Sequence, residues 1–97
     1  MLKVVVTGAA GRMGGRLVSL IVASKDLKLS GASEIKGHPM IGKDAGIVAG
    51  VGETGVLIGD SLDAALRGAD AMIDFSTGDT AENAKIAASK GVSCVIG

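Results

Sequence analysis

The sequence predicts an α/β fold, a doubly wound parallel sheet of five strands in the order 3-2-1-4-5 with helices on both faces. Three observations predict it. Apolar, β-branched runs alternate with segments of helical spacing along the whole chain, giving the order β-α-β-(loop)-β-α-β-α-β. The first run, Leu2 to Thr7, is almost continuously apolar, as a central parallel strand covered on both faces must be. That run then passes straight into a glycine turn and a helix. Right-handed crossovers place the helices on both faces and set the ligand crevice at the carboxyl ends of strands one and four.

Taken in order, the stretch Val4-Val5-Val6-Thr7-Gly8-Ala9-Ala10-Gly11-Arg12-Met13-Gly14 is the organising element. Its glycines have the spacing of a Rossmann-type dinucleotide turn, here G-x-x-G-x-x-G. Gly8 permits the tight turn, Gly11 lets a pyrophosphate approach the backbone, and Gly14 lets the helix pack close to the strand. The helix N-terminus presents free N–H groups and a partial positive charge. The helix is expected from Arg12 to Ser24, with Met13, Leu17, Leu20 and Ile21 as its inner stripe. Leu27 to Ser33 is the second strand, ending at Glu34. Ile35 to Gly55, rich in glycine and holding the single Pro and His, reads as a long irregular loop.

Val56 to Gly59 is a short third strand. Asp60-Ser61 caps a helix carrying Leu62, Ala65, Leu66 and Ala69, with Gly68 near its end. Ala71 to Phe75 is the fourth strand and Ser76 to Asp79 a turn. Asp79 and Glu82 have capping-box-like spacing for a helix reaching Lys90 and stopping at Gly91, with Ala84, Ala87 and Ala88 inward. Val92 to Ile96 is the last strand. The 97 residues make one domain, 1–97, without internal repeats.

Composition narrows the function. Lys plus Arg and Asp plus Glu number 10 each, and aromatics amount to one Phe, which argues against nucleic acid as a partner. No apolar run reaches the length of a membrane span. The single cysteine, Cys94, cannot form an internal disulfide, and a strand begins almost at the N-terminus, which together predict a cytoplasmic protein. No cluster has metal-ligand spacing, and no phosphate-binding loop of the G-x-x-x-x-G-K-[ST] type is present.

Glu34 carries the second half of the argument. An acidic residue at the end of strand two accepts hydrogen bonds from the adenine ribose hydroxyls. Its charge repels a 2′-phosphate, and Ile35 beside it supplies no cation, although Lys36 is near. Arg12 stands at the helix mouth, where a phosphate is in reach. His38 reads as a surface residue of the loop. Asp74, in an apolar strand, is expected to meet backbone N–H groups or solvent at the strand end, because a buried carboxylate is costly unless paired.

The chain resembles the dihydrodipicolinate reductase family, also called 4-hydroxy-tetrahydrodipicolinate reductase. Val6 to Gly14 resembles that family's opening, and Gly42-Lys43-Asp44-Ala45-Gly46 with Ala49-Gly50-Val51-Gly52 and Gly55-Val56 its glycine-rich loop. Asp70-Ala71-Met72-Ile73-Asp74-Phe75-Ser76 resembles its fourth strand, and Gly91-Val92 through Val95-Ile96-Gly97 the strand before its Gly-Thr-Thr-Gly turn. The resemblance spans the whole chain.

It implies an NADH- or NADPH-binding domain that places the cofactor against Gly8, Ala9, Ala10, Gly11, Arg12, Met13, Glu34, Ser76, Thr77 and Gly97. It implies no catalytic residue here, since the family's His-His-x-x-Lys segment and its substrate and tetramerisation domain lie beyond this sequence. The full-length parent implied is a homotetrameric reductase of lysine and diaminopimelate biosynthesis, transferring hydride to a cyclic unsaturated dicarboxylate. Two further readings stand beside it. Thr7-Gly8-Ala9-Ala10-Gly11 also fits an extended short-chain dehydrogenase or epimerase, a class that needs a Tyr-x-x-x-Lys, and the chain has no Tyr. A stand-alone nucleotide-sensing module is the other. The uncharged last strand predicts self-association of the chain through its edge.

Overall fold

The computed structural model describes residues 1–75 and 80–96. The expected Ser76–Asp79 turn, with site residues Ser76 and Thr77 and the Asp79 cap, and Gly97 lie outside the described residues. The elements are β1 (Leu2–Thr7), α1 (Arg12–Ala23), β2 (Leu27–Ser33), α2 (Ala45–Ala49), β3 (Ile58–Gly59), α3 (Leu62–Ala65), β4 (Ala71–Asp74), α4 (Thr80–Ser89) and β5 (Ser93–Ile96). The sheet order is β3-β2-β1-β4-β5, and every pair of neighbours is parallel. The expected fold and strand order are both present.

β1 is central and its side chains alternate between two cores. Val4 and Val6 join Val18 and Ile21 of α1, with Leu29, Ala32 and Ile58, on one face. Val5 joins Leu66, Met72, Ala87 and Val92 on the other. This two-sided burial is the reason β1 reads as an unbroken apolar run.

Three local expectations are corrected. The inner stripe of α1 is Gly14, Val18 and Ile21, whereas Met13 and Leu20 are exposed. The cause is Gly14: a Cβ there would overlap the Gly8 carbonyl oxygen, so the helix is pressed onto the turn along its glycine face. α4 is likewise rotated slightly, so that Ala87 is buried and Ala88 exposed. The third is the 35–55 segment, which contains a helix, α2, and is held along β3 by hydrogen bonds.

β2 holds a feature no residue pattern announced. Its register on β1 slips between Val4 and Val5, where Val4 pairs with Leu29 but Val5 with Gly31. Ser30 is the extra residue, and its hydroxyl donates to the Val4 carbonyl at 3.4 Å. The bulge turns Ala32 to the α1 face and Gly31 to the opposite one, where a Cβ would lie 2.6 Å from the Ala65 carbonyl oxygen.

Asp44 organises the long segment. Its carboxylate caps α2 through the Gly46 and Ile47 amides and also accepts from the Thr54 amide and hydroxyl and the Gly55 amide. The chain before α2 is thereby laid along β3. Gly42 N donates to the Ile58 carbonyl at 2.8 Å, Ile58 N to the Lys43 carbonyl at 2.9 Å, and Ala45 N to the Val56 carbonyl at 2.8 Å. These bonds close the outer edge of the sheet on that side.

Candidate cofactor site

The site is built on the turn between β1 and α1. Gly8 has φ +73°, a conformation that L side chains rarely adopt. The Gly8 and Ala9 amides both donate to the Ser33 carbonyl at the end of β2, at 2.9 and 3.2 Å, and Gly11 N donates back to the Gly8 carbonyl at 3.0 Å. The turn is therefore fixed to the end of the neighbouring strand before α1 begins. Gly11 is the N-cap of α1 and offers no side-chain cap, and the first turn contains no acidic residue. The first amides of the helix are open to an anion, and the helix dipole favours one there.

Gly11 and Gly14 are glycines for different reasons. Gly14 is demanded by packing, as above. At Gly11 a Cβ would meet only the Gly8 carbonyl oxygen at 3.4 Å, an ordinary contact, so the fold itself has room for a methyl group.

The structure brings Glu34 to this turn. It follows β2 directly, its amide donates to the Gly59 carbonyl at 2.9 Å, and its Oε2 accepts from Ala10 N at 3.0 Å. Oε1 accepts from the Ile35 amide at 3.2 Å. The acidic residue and the glycine turn, 24 positions apart, thus form one unit. Arg12 and Met13 are exposed at the helix mouth. With Ala10, Gly11, Gly15, Arg16, Ser19, Val48 and Ala49, Arg12 lines an open groove of about 430 Å³ between α1 and α2.

On the other side of β1 the ends of β1 and β4 meet. Thr7 and Asp74 are partners in register, and the Thr7 hydroxyl donates to Asp74 Oδ1 at 2.5 Å. Asn83 Nδ2 donates to Asp74 Oδ2 at 3.0 Å. Among the described residues, side chains supply donors to Asp74, where the sequence predicts backbone N–H groups or solvent. Burial, and then the charge of Asp74, push the Cys94 thiol up from its ordinary value, in keeping with an unreactive cysteine. His38 sits in a turn of the segment after β2, its Nδ1 accepting from Met40 N at 3.1 Å. Among the described residues no group of His, Cys, Asp and Glu is placed to hold a metal ion.

Residues 2–97 match the family described as dihydrodipicolinate reductase, N-terminus. The chain belongs to this family. It is 52% identical over its whole length to a 4-hydroxy-tetrahydrodipicolinate reductase of Anaeromyxobacter sp. strain Fw109-5, covering 36% of that protein. It is 48% identical to one of Geotalea daltonii, covering 37%. The chain thus spans little more than a third of the length of these relatives. Two solved structures share the fold. One is an amine dehydrogenase from Mycobacterium smegmatis, with TM-score 0.81, 23% identity and coverage of 98% of this chain and 29% of that one. The other is a dipicolinate-bound dihydrodipicolinate reductase from Paenisporosarcina sp. TG-14, with TM-score 0.77, 18% identity and coverage of 100% and 37%. Membership of the reductase family favours neither the epimerase nor the stand-alone sensor reading.

Asp44 is a structural residue near the site that the residue pattern alone leaves without a role. It stands inside the stretch that resembles the reductase family's glycine-rich loop. The available signal was an Asp directly before the short run Ala45–Ala49, the position of a helix N-cap. Burial pushes its carboxyl up, but the amides of Thr54 and Gly55, the Thr54 hydroxyl and the Gly46 amide outweigh this and hold its pKa at about 2. Through α2 it also sets the Val48–Ala49 wall of the groove at the glycine turn.

Proposed function

We propose that this chain is the dinucleotide-binding domain, 1–97, of a 4-hydroxy-tetrahydrodipicolinate reductase, and that it holds NADH or NADPH. The observation that carries the reading is the junction of Glu34 with the Ala10 amide, which sets an acidic acceptor against an uncapped helix start. The pyrophosphate lies on the Gly8-Ala9-Ala10-Gly11 turn and the first amides of α1, at Arg12 and Met13. The adenosine ribose hydroxyls take Glu34 as their acceptor, displacing its bond to Ala10. Ser76, Thr77 and Gly97 are further cofactor contacts on this reading, on the strength of the family resemblance. The nicotinamide supplies the hydride, and the residues of this chain bind and orient it.

The whole protein is a cytoplasmic, homotetrameric reductase of lysine and diaminopimelate biosynthesis that reduces a cyclic unsaturated dicarboxylate. The dicarboxylate site and the proton donor belong to the remaining two thirds of the relatives' length, so this chain alone has no turnover. It self-associates through the outer edge of β5. No helix among the described residues is long and apolar enough to cross a membrane.

Titration of the chain with NADH and NADPH tests the reading, with Gly11→Ala as the diagnostic variant. Since the fold has room for that methyl, melting should be nearly unchanged while cofactor affinity falls about tenfold or more, a loss of about 1.4 kcal/mol. NADH is expected to bind at least as well as NADPH, because Ile35 supplies no charge for a 2′-phosphate. A Gly11→Ala chain that melts early, or binds as the wild type does, would falsify the assignment of the pyrophosphate to this turn.

A further inference from the structure

We infer that Asp74 is a positioning residue for the second nucleotide of the bound dinucleotide, acting through Thr7 and Asn83. The inference rests on the dinucleotide reading above and deepens it.

Asp74 closes β4 as Thr7 closes β1, and the two are paired in register. The carboxylate is wholly buried. One oxygen takes the Thr7 hydroxyl and the other the Asn83 side-chain amide, so a single group ties β1, β4 and α4 together. The backbone repeats the link, with Phe75 N donating to the Thr7 carbonyl at 3.3 Å. An apolar residue here would avoid the desolvation that a buried carboxylate suffers. The carboxylate instead fixes a three-element junction, because the Thr7 hydroxyl and the Asn83 amide reach it from different directions.

The place of that junction gives it a function. The sheet order reverses at β1, with β2 on one side and β4 on the other. A dinucleotide in such a fold lies across the reversal. Glu34, on the β2 side, meets the first ribose, and the pyrophosphate sits at the start of α1. The second nucleotide therefore passes over the ends of β1 and β4, above the buried Thr7–Asp74 pair. Thr7 precedes Gly8 directly, so a shift in Thr7 also moves the turn on which the pyrophosphate rests. Two carboxylates thus divide the cofactor: Glu34 touches the adenosine half, and Asp74 holds the surface under the other half without touching it.

AMP, which carries only the adenosine half, separates the two roles. In the chain, NADH and AMP are titrated against wild type, Thr7→Val, Asp74→Asn and Glu34→Ala, with nicotinamide fluorescence and calorimetry as readouts. Thr7→Val keeps the shape and removes the hydroxyl. It is expected to weaken NADH about tenfold and to leave AMP within about twofold. Asp74→Asn still accepts from Asn83 and can donate to the Thr7 hydroxyl, so it should retain most of the NADH affinity. Glu34→Ala should weaken both ligands. Should Thr7→Val not fold, Asn83→Ala probes the same junction from the helix side, with the same expectation. Equal loss of NADH and AMP, or unchanged NADH binding in a folded variant, overturns the positioning role while leaving the dinucleotide reading intact. A wild-type chain that binds neither ligand overturns the dinucleotide reading, and this inference with it.

Discussion

The two outer strands of the sheet meet the same problem and solve it differently. β3 has only two residues, yet its outer side is paired to residues 42–45, and that pairing hangs on the carboxylate of Asp44. β5 has four residues in register with β4, and among the described residues nothing pairs its far side. Val95 on β5 is 57% exposed. Apolar area alone does not decide which edge is covered. Covering an edge takes a return of the chain with its own hydrogen bonds satisfied, and on the β3 side one acidic residue and a set of glycines supply that return. Gly46 is among them: a Cβ there would overlap the Gly52 carbonyl oxygen, so the segment closes only around a glycine.

The sharpest way to break this contrast is Asp44→Ala. It leaves the amides of Gly46, Thr54 and Gly55 without their acceptor, so hydrogen-exchange protection at these positions should fall to that of an open chain. Ile58 should follow, whereas Cys94 on β5 keeps its protection. Uniform loss across the sheet would mean that the two edges are not independent. Asp44 also gives the contrast a pH dependence. Its folded pKa of about 2 lies below the ordinary value of 3.8. Its contribution to stability is therefore complete above pH 3.8, declines as pH falls toward 2, and is absent below both values. Acid unfolding of wild type and Asp44→Asn should converge at the bottom of that range. A difference that stays constant from about pH 6 to about pH 2 would assign the stabilisation to something other than the ionised carboxylate.

Gly14→Ala is the next in size, and it acts at the centre, where both halves share β1. The new methyl would overlap backbone, which has little freedom to move, and overpacking of this kind costs about 1–3 kcal/mol. Thermal or urea unfolding measures it. A Gly14→Ala chain as stable as wild type would show that α1 can lift from the turn at no cost. The open edge is probed by Val95→Lys. Stability of the monomer should change by no more than about 0.5 kcal/mol, as at other exposed sites. Self-association in a sedimentation series should drop, since a charged side chain on an edge strand discourages pairing. Unaltered association would place any contact elsewhere. The smallest effect belongs to the ion pair of Lys90 with Asp63, 2.9 Å apart and partly exposed, which links the residue after α4 to α3. Asp63→Ala should lose less than about 1 kcal/mol, and the loss should shrink in salt. A larger, salt-insensitive loss would point to the α3 cap and not to the pair.

The sequence by itself determined the order of elements apart from α2, the strand order 3-2-1-4-5, the glycine turn and the acidic residue at the end of β2. Each depends on local signals: β-branched runs, helical spacing, glycines at a fixed offset, and a connection rule with one handedness. It also indicated that Asp74 must find donors, because burial of a carboxylate demands them wherever they come from. Tertiary structure decided which donors, since Thr7 and Asn83 are brought to it only by the pairing of β1 with β4 and the return of α4. It decided the rotation of α1 as well. Leu20 and Val18 are both apolar and both lie at helical spacing, and only the contact of Gly14 with Gly8 selects the face that holds Val18. The bulge at Ser30 and the ring of donors around Asp44 were hidden for the same reason. Register and loop closure depend on atoms distant in sequence, and a glycine-rich segment shows the same composition whether it hangs free or is fastened along the edge of a sheet.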